Sequence, residues 1–351
     1  MRKKPLNGLK VNCDLSDDQY QMIRNSSIKH NANIYPTIHA LFRVKSNCYP
    51  EDLVVTETSA ESKLQSMVNH TLKKVTILSE DNLKTLDTDQ NVLNGRFILK
   101  AGFDGASSQS LYKQRYDNTE IEEAKKNEES LFQTAIVPLK LSVENETIWE
   151  NKKPNSSHFC KPLRLQYKKE TTELSKSEEK HIRDQMADLE DYVENITLAD
   201  GRQVSINIKS HVELTMFDGK VVNALTNTKS SASWNICGAK PSEMNKLDLV
   251  KVKPVNDDAL SLGLSSLHCW IKCFEYILHL GYRLEITIPK TDIRLAEDKV
   301  IVQARKKTIQ DRFRAELSLL VDVPKTGFGN TNDGNTARRA FMHAEAFADI
   351  T

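Results

Sequence analysis

The apolar residues of this chain change rhythm along its length. From Leu15 to about Leu78 they follow the helical repeat. In LSDDQYQMIRNSSIKHNA, Ser16 is placed to cap a helix whose apolar residues are Tyr20, Met22 and Ile23. A second run, SAESKLQSMVNHTLKKVTIL, predicts a helix starting at Ser59, with Glu61 in its first turn and Leu64, Met67, Val68, Leu72 and Val75 on one face. Two or three helices are expected, with a connection containing Pro36 and Pro50. The acidic, Asn-rich stretch SEDNLKTLDTDQN then marks a first boundary.

Beyond it the period shortens. RFILKAGFDG is a short apolar run closed by Gly, TAIVPLKLSV is a second β-rich run, and FCKPLRLQY turns Leu163, Leu165 and Tyr167 to one face, so three strands are predicted. SKSEEKHIRDQMADLEDYVENI spaces Ile182, Met186, Leu189, Val193 and Ile196 as one face of a helix of about five turns. After the turn at Asp200 and Gly201, a strand alternates Val204, Ile206 and Ile208, then Val212, Leu214 and Met216, with a bulge expected near Ser210. The order strand, strand, strand, helix, strand predicts an α/β (α+β) protein whose middle is the first half of an RNase H-like mixed sheet. The expected domains are a helical region over 1–90, this core over 91–232, and a helical region over 233–351.

Composition narrows the function classes. Forty-nine Lys and Arg face forty-eight Asp and Glu, a net charge of +1, so any nucleic-acid contact must come from local basic patches. The basic start, MRKKPLNGLKVNCDLSDDQ, has no apolar stretch behind it, and no window approaches the ~18 apolar residues of a membrane span. Six scattered cysteines in 351 residues do not make a disulfide framework, and reduced thiols in cytosol or nucleus are expected.

Two acids stand where strands end. Asp104 closes the first and Asp218 closes the fourth, and each precedes a glycine. In an RNase H-like sheet these strand ends are neighbours, so the carboxylates would share a site for hard divalent cations, which prefer oxygen ligands. Two such ions ~3.5–4 Å apart activate a water or a 3′-hydroxyl and stabilise the leaving oxygen at a phosphodiester. The alternative is that both Asp-Gly pairs are ordinary surface turns.

The blocks FDGASSQSLYKQ, ENKKPNSSHFCKPLRLQ, TMFDGKVVNALT, ICGAKPSEMN, LHCWIKCFEYILHLGYRLE and GFGNTNDGNTARR resemble, in order, those of the Transib DNA transposases, relatives of the catalytic subunit of the vertebrate V(D)J recombinase. The resemblance implies a DDE site in which Asp104 and Asp218 are the first two acids, with Asp104 bridging two Mg²⁺ or Mn²⁺ ions. It implies a nuclear homodimer acting on transposon terminal repeats in double-stranded DNA, nicking by hydrolysis and then forming a hairpin through the freed 3′-hydroxyl. The family's third acid lies in a Glu-Ala-Arg-Asn-Lys-like segment, and none occurs before Thr351. A C-terminally truncated chain, inactive alone, is the expectation, with Glu316 and Glu345 as solvated surface residues. A non-catalytic DNA-binding or dimerisation protein is the alternative within the family, and an interaction protein with no metal site is the alternative outside it.

The family's zinc motif is degenerate here. Its second cysteine is Cys237, Trp234 replaces the first, and its histidine pair would lie past Thr351, so no zinc is expected. Cys269 and Cys273, with His279, suggest a substitute cluster, but LHCWIKCFEYILHLGY reads more readily as a buried core helix. His268 lies near DNA by resemblance; a helix-capping or core histidine is the other reading. TGFGNTNDGNTARRAF lacks the Gly-Lys-Ser/Thr of a nucleotide-binding loop. Asn332 and Asp333 are expected to start a helix whose free amides, with Arg338 and Arg339, contact a DNA phosphate or are merely a capped helix with two exposed arginines. Arg305, Lys306 and Lys307 form a further basic patch of the same ambiguity.

Overall fold

The computed structural model describes residues 9–10, 13–107, 130–230, 232–286, 296–325 and 330–351. The basic start of the chain, residues 108–114 of the FDGASSQSLYKQ block and residues 326–329 of the glycine-rich stretch lie outside them. The chain divides into two compact units, Met1–Glu213 and Leu214–Thr351.

The first unit opens with α1 (Asp17–Lys29). Ser16 caps it as expected: its Oγ accepts the Gln19 N–H at 3.2 Å while Gln19 Oε1 accepts the Ser16 N–H at 2.8 Å. Tyr20 is buried, but Met22 is 71% exposed, so the buried stripe is narrower than the sequence pattern. Helix α2 (Ile38–Ser46) follows, then two short strands, β1 (Val54–Val55) and β2 (Ser59–Glu61). The helix expected from Ser59 therefore starts later, as α3 (Leu64–Leu78), because the backbone of Ser59–Glu61 pairs antiparallel with Arg164–Gln166. Its buried face carries Leu64, Met67, Val68, Leu72 and Val75, the residues the periodicity selects. The acidic stretch that follows is structured. It forms α4 (Glu80–Lys84) and buries Leu83 and Leu86, so the expected boundary near residue 90 falls inside this unit.

The rest of the unit is a mixed sheet: β3 (Val92–Ala106), β4 (Leu131–Val143), β5 (Glu146–Glu150), β6 (Lys161–Gln166), then helix α5 (Thr172–Ala187), β7 (Tyr192–Thr197) and β8 (Gln203–Leu214). The strand order is β1-β2-β6-β4-β3-β8-β7, with β5 paired to β4. β3 runs antiparallel to β4, as β4 does to β6 and β7 to β8. Beside β3, the Ser205 N–H donates to Asn91 O at 2.9 Å and Gly95 packs on Ile208, so the pairing advances in the same direction along both strands and β3–β8 is parallel. Pro138 sits mid-strand in β4, where a proline is tolerated at an irregularity. The register with β3 shifts there, between Ile98 and Leu99, and Asn151 Nδ2 donates to the Pro138 carbonyl at 2.8 Å.

Three expectations change. The long helix ends at Ala187; Val193 and Ile196 belong to β7, where β-branched and aromatic residues pair with β8. β5 is an additional strand, formed because Glu144 and Asn145 turn the chain back on β4. The inward alternation of β8 keeps one phase from Val204 to Leu214, so Ser210 marks no change of face.

A polar cluster lies beneath α5. Glu178, only 1% exposed, accepts from Thr134 Oγ1 at 2.6 Å and Arg164 Nη1 at 2.9 Å, and Gln166 Nε2 lies at 3.5 Å. Arg164 also faces Glu61 at 3.2 Å. Three donors satisfy a carboxylate that would be costly to bury alone.

The second unit is helical among the described residues apart from a Pro324–Asn330 bridge: α6 (Gly219–Leu225), α7 (Pro241–Met244), α8 (Leu247–Lys251), α9 (Asp257–Ser261), α10 (Ser266–Gly281), α11 (Ala296–Leu317), α12 (Gly334–Met342) and α13 (Ala344–Ile350). Its core joins Phe274 and Leu278 of α10 to Phe313 of α11, Ala337 and Ala340 of α12 and Phe347 of α13. The Phe274 ring lies 6.1 Å from Phe313 and 5.5 Å from Phe347.

Candidate functional site

Asp104 is not in a turn. β3 continues through Asp104 and Gly105, which pair with Gln133 and Phe132 of β4. The carboxylate is exposed near the C-terminal end of the strand, and its Oδ1 accepts the Gly105 N–H at 2.8 Å. Glycine is required next to it by space. A β-carbon at residue 105 would stand 2.5 Å from Glu170 Cβ and 2.9 Å from Glu170 Oε2.

Asp218 is a helix cap. The chain leaves β8 at Leu214, and four residues later Asp218 adopts extended backbone and accepts the Val221 N–H on Oδ1 at 2.7 Å, opening α6. Aspartate is a preferred residue there because its oxygen satisfies an amide that has no partner inside the helix. One accepted bond leaves further lone-pair capacity on a carboxylate. Asp104 belongs to the first unit and Asp218 to the second. As donors, an exposed carboxylate and a half-buried one suit a hard divalent ion. Among the described residues no three His, Cys, Asp or Glu side chains converge as a metal-binding group.

The remaining candidates have mostly structural partners. His268 stands in the first turn of α10, where its Nδ1 lies 2.8 Å from the Oγ of the capping Ser265. Cys237 lies in a tight turn closed by Gly238 N–H to Trp234 O at 2.7 Å, with Gly238 at φ +67°. Cys269 and Cys273 are exposed, contrary to the buried helix expected: α10 buries the side carrying Phe274 and Leu278 and turns both cysteines away from it. His279 instead faces Asp322, at 3.9 Å.

Asp333 caps α12 as expected, accepting the Thr336 N–H at 2.9 Å. That hydrogen bond is the main reason its carboxyl is held below the ordinary aspartate value of 3.8, against the opposing effect of burial. One of the free amides expected there, that of Thr336, is thus already served by an acid, whose charge would repel a phosphate. Arg339 donates to Leu317 O at 3.3 Å, and Arg338 is exposed with no carboxylate partner among the described residues. The basic run on α11 is fully engaged: Arg305 with Glu285 at 2.9 Å, Lys306 with Asp322 at 2.6 Å and Lys307 with Asp311 at 3.1 Å. Glu316 pairs with Arg312 at 2.7 Å, and Glu345 is exposed in the first turn of α13.

Two residues near the sheet escape a sequence reading that treats charges as solvated. Glu178 had a signal, since Ser175, Glu178 and Ile182 share one helical face at i, i+3 and i+7. Glu170, in the loop before α5, had none.

No helix among the described residues is long and apolar enough to cross a membrane. No family model matches the chain, and comparison with curated proteins gives no match.

Proposed function

We propose that this chain is a DNA transposase or recombinase of the DDE type, built on an RNase H-like core, with Asp104 and Asp218 as two of its metal-binding acids. One observation carries the reading: β8 lies parallel beside β3, with Asp104 near the C-terminal end of β3 and Asp218 four residues past β8 in sequence. That topology suits a pair of strand-end carboxylates. It adds to the ordered blocks of sequence resemblance.

In this reading Asp104, presented on a rigid strand and held by Gly105, and Asp218, fixed at the head of α6, bind divalent metal and orient it toward a scissile phosphate. Bound Mg²⁺ or Mn²⁺ would supply activation of water or a 3′-hydroxyl and stabilisation of the leaving oxygen. A second reading, a non-catalytic DNA-binding or dimerisation protein, is favoured by the capping role that Asp218 fills without any metal.

The two readings part in a Mn²⁺ titration followed by electron paramagnetic resonance. Under the first, Asp104→Asn and Asp218→Asn each weaken one and the same Mn²⁺ site by about tenfold or more, in line with losing a charged oxygen ligand. Mn²⁺ binding indifferent to both substitutions leaves the non-catalytic reading.

A further inference from the structure

Helix α3 carries a basic strip beside its buried face. His70, Lys73 and Lys74 stand at i, i+3 and i+4, the spacing of neighbours on a helix surface. Lys73 and Lys74 are exposed, and His70 is half-buried. Lys161, the first residue of β6, joins them and is also half-buried. Lys74 Nζ reaches the carbonyl of Asn47, the residue that ends α2, at 3.5 Å.

These groups are close enough to act on one another. Burial holds the Lys161 ammonium below the ordinary lysine value, and the charge of Lys74 pushes it the same way, against the opposing effect of Cys48. Burial likewise pushes the His70 imidazole down, with Lys161, Lys74 and Lys73 adding to it against the pull of the Asn47 carbonyl. Two elements distant in sequence thus bring their positive charge to one place.

The cluster lacks a counter-charge. Among the described residues none of Lys73, Lys74 and Lys161 forms an ion pair with a carboxylate. Half-buried lysines elsewhere in the chain are neutralised: Lys306 has Asp322 at 2.6 Å and Lys253 has Glu243 at 3.1 Å. An ammonium taken partly out of water beside like charges is costly unless an anion joins it. The cluster is also apart from the candidate metal-binding acids. Lys161 pairs with Ile136 and Asp104 with Gln133; three positions apart on β4, these partners point to opposite faces of the sheet.

We propose that Lys74 and Lys161, with Lys73 at the rim, form a binding site for a phosphate monoester dianion. Such a group carries about −1.5 to −2 charges at pH 7 and offers three acceptor oxygens, which matches several ammonium groups at one point better than a singly charged carboxylate or phosphodiester does. Lysine meets phosphate as a point charge with rotatable donors, so a helix and a strand can each supply one without a shared planar geometry. The inference is independent of the transposase reading.

The test titrates the intact protein, in chloride buffer of low ionic strength, with inorganic phosphate and with acetyl-phosphoserine-N-methylamide, following the His70 ring signals by NMR. Saturable binding is expected, with the His70 pKa moving up as the anion offsets the lysines. Lys161→Gln and Lys74→Gln should each weaken binding about tenfold, in line with losing a charge-assisted hydrogen bond. Lys63→Gln, at the exposed start of the same helix, should change nothing. Phosphate should raise the thermal midpoint of the wild-type protein and not that of Lys161→Gln. Tighter binding of the phosphoserine compound identifies a phosphorylated side chain as the source of the dianion, and equal binding identifies free phosphate. Absence of binding, or binding indifferent to both substitutions, overturns the proposal. So does a duplex DNA fragment that binds through these lysines where neither phosphate probe does, which would make the cluster a nucleic-acid surface.

Discussion

Gly105 offers the sharpest test of how the end of β3 is built. A β-carbon there meets Glu170 Cβ at 2.5 Å, well inside contact distance. That atom is fixed to its own backbone and cannot swing aside as the carboxylate can. Gly105→Ala should therefore shift the strand end or the loop bearing Glu170, at the ~1–3 kcal/mol typical of overpacking. Its φ is not in the left-handed region, so without the clash alanine should instead stabilise by ~0.4–1 kcal/mol through the unfolded chain. The two sum to a coupling of about 1.5–4 kcal/mol between residues 105 and 170. Urea unfolding of a double-mutant cycle measures it. Glu170→Gly should rescue Gly105→Ala, whereas Glu170→Ala, which keeps the offending β-carbon, should rescue little. Equal rescue by both, or a cost of Gly105→Ala below about 0.5 kcal/mol, refutes the packing argument.

Other outcomes follow from the same geometry. Glu178→Ala removes the acceptor shared by Thr134 and Arg164 and should cost about 3 kcal/mol in urea unfolding of the first unit, because it leaves the buried Thr134 hydroxyl without its acceptor and the partly buried Arg164 guanidinium with only Glu61 at 3.2 Å. Asp218→Asn preserves the cap of α6 and should leave stability within a few tenths of a kcal/mol, while Asp218→Ala costs ~0.5–2 kcal/mol; equal losses would mean that the oxygen is not capping. Asp333 has a depressed folded-state pKa, so its contribution is present above the ordinary value of 3.8 and is lost as pH falls through the lower folded value. Acid unfolding followed at the helices of the second unit should flatten between these two values in Asp333→Asn, and an unchanged acid limb would show that the Thr336 bond does not carry the effect.

Where sequence patterns reflect burial on one face, they translated well into structure. The stripe of α3, the cap at Ser16 and the alternation of β8 follow from periodicity and hydrogen-bonding chemistry acting locally. Nonlocal pairing is where local reading failed. Ser59–Glu61 looks like a helix start until β6 claims its backbone, and Val193 and Ile196 fit a helical repeat until β8 offers a ladder. Asp104 and Gly105 carry turn chemistry, yet β4 extends alongside them and the strand runs on. The candidate basic groups were visible as charges, but the carboxylates that neutralise Arg305, Lys306 and Lys307 lie four to twenty residues away in sequence and are brought close only by folding.

The central claim is that Asp104 and Asp218 serve one metal site. Paramagnetic broadening of backbone amide signals on stepwise addition of Mn²⁺ addresses it most directly. The account predicts that the amides of residues 103–105 and 217–219 broaden together, at the same Mn²⁺ concentration and ahead of the rest of the chain. Broadening at only one of the two segments, or at neither before general surface binding sets in, contradicts it.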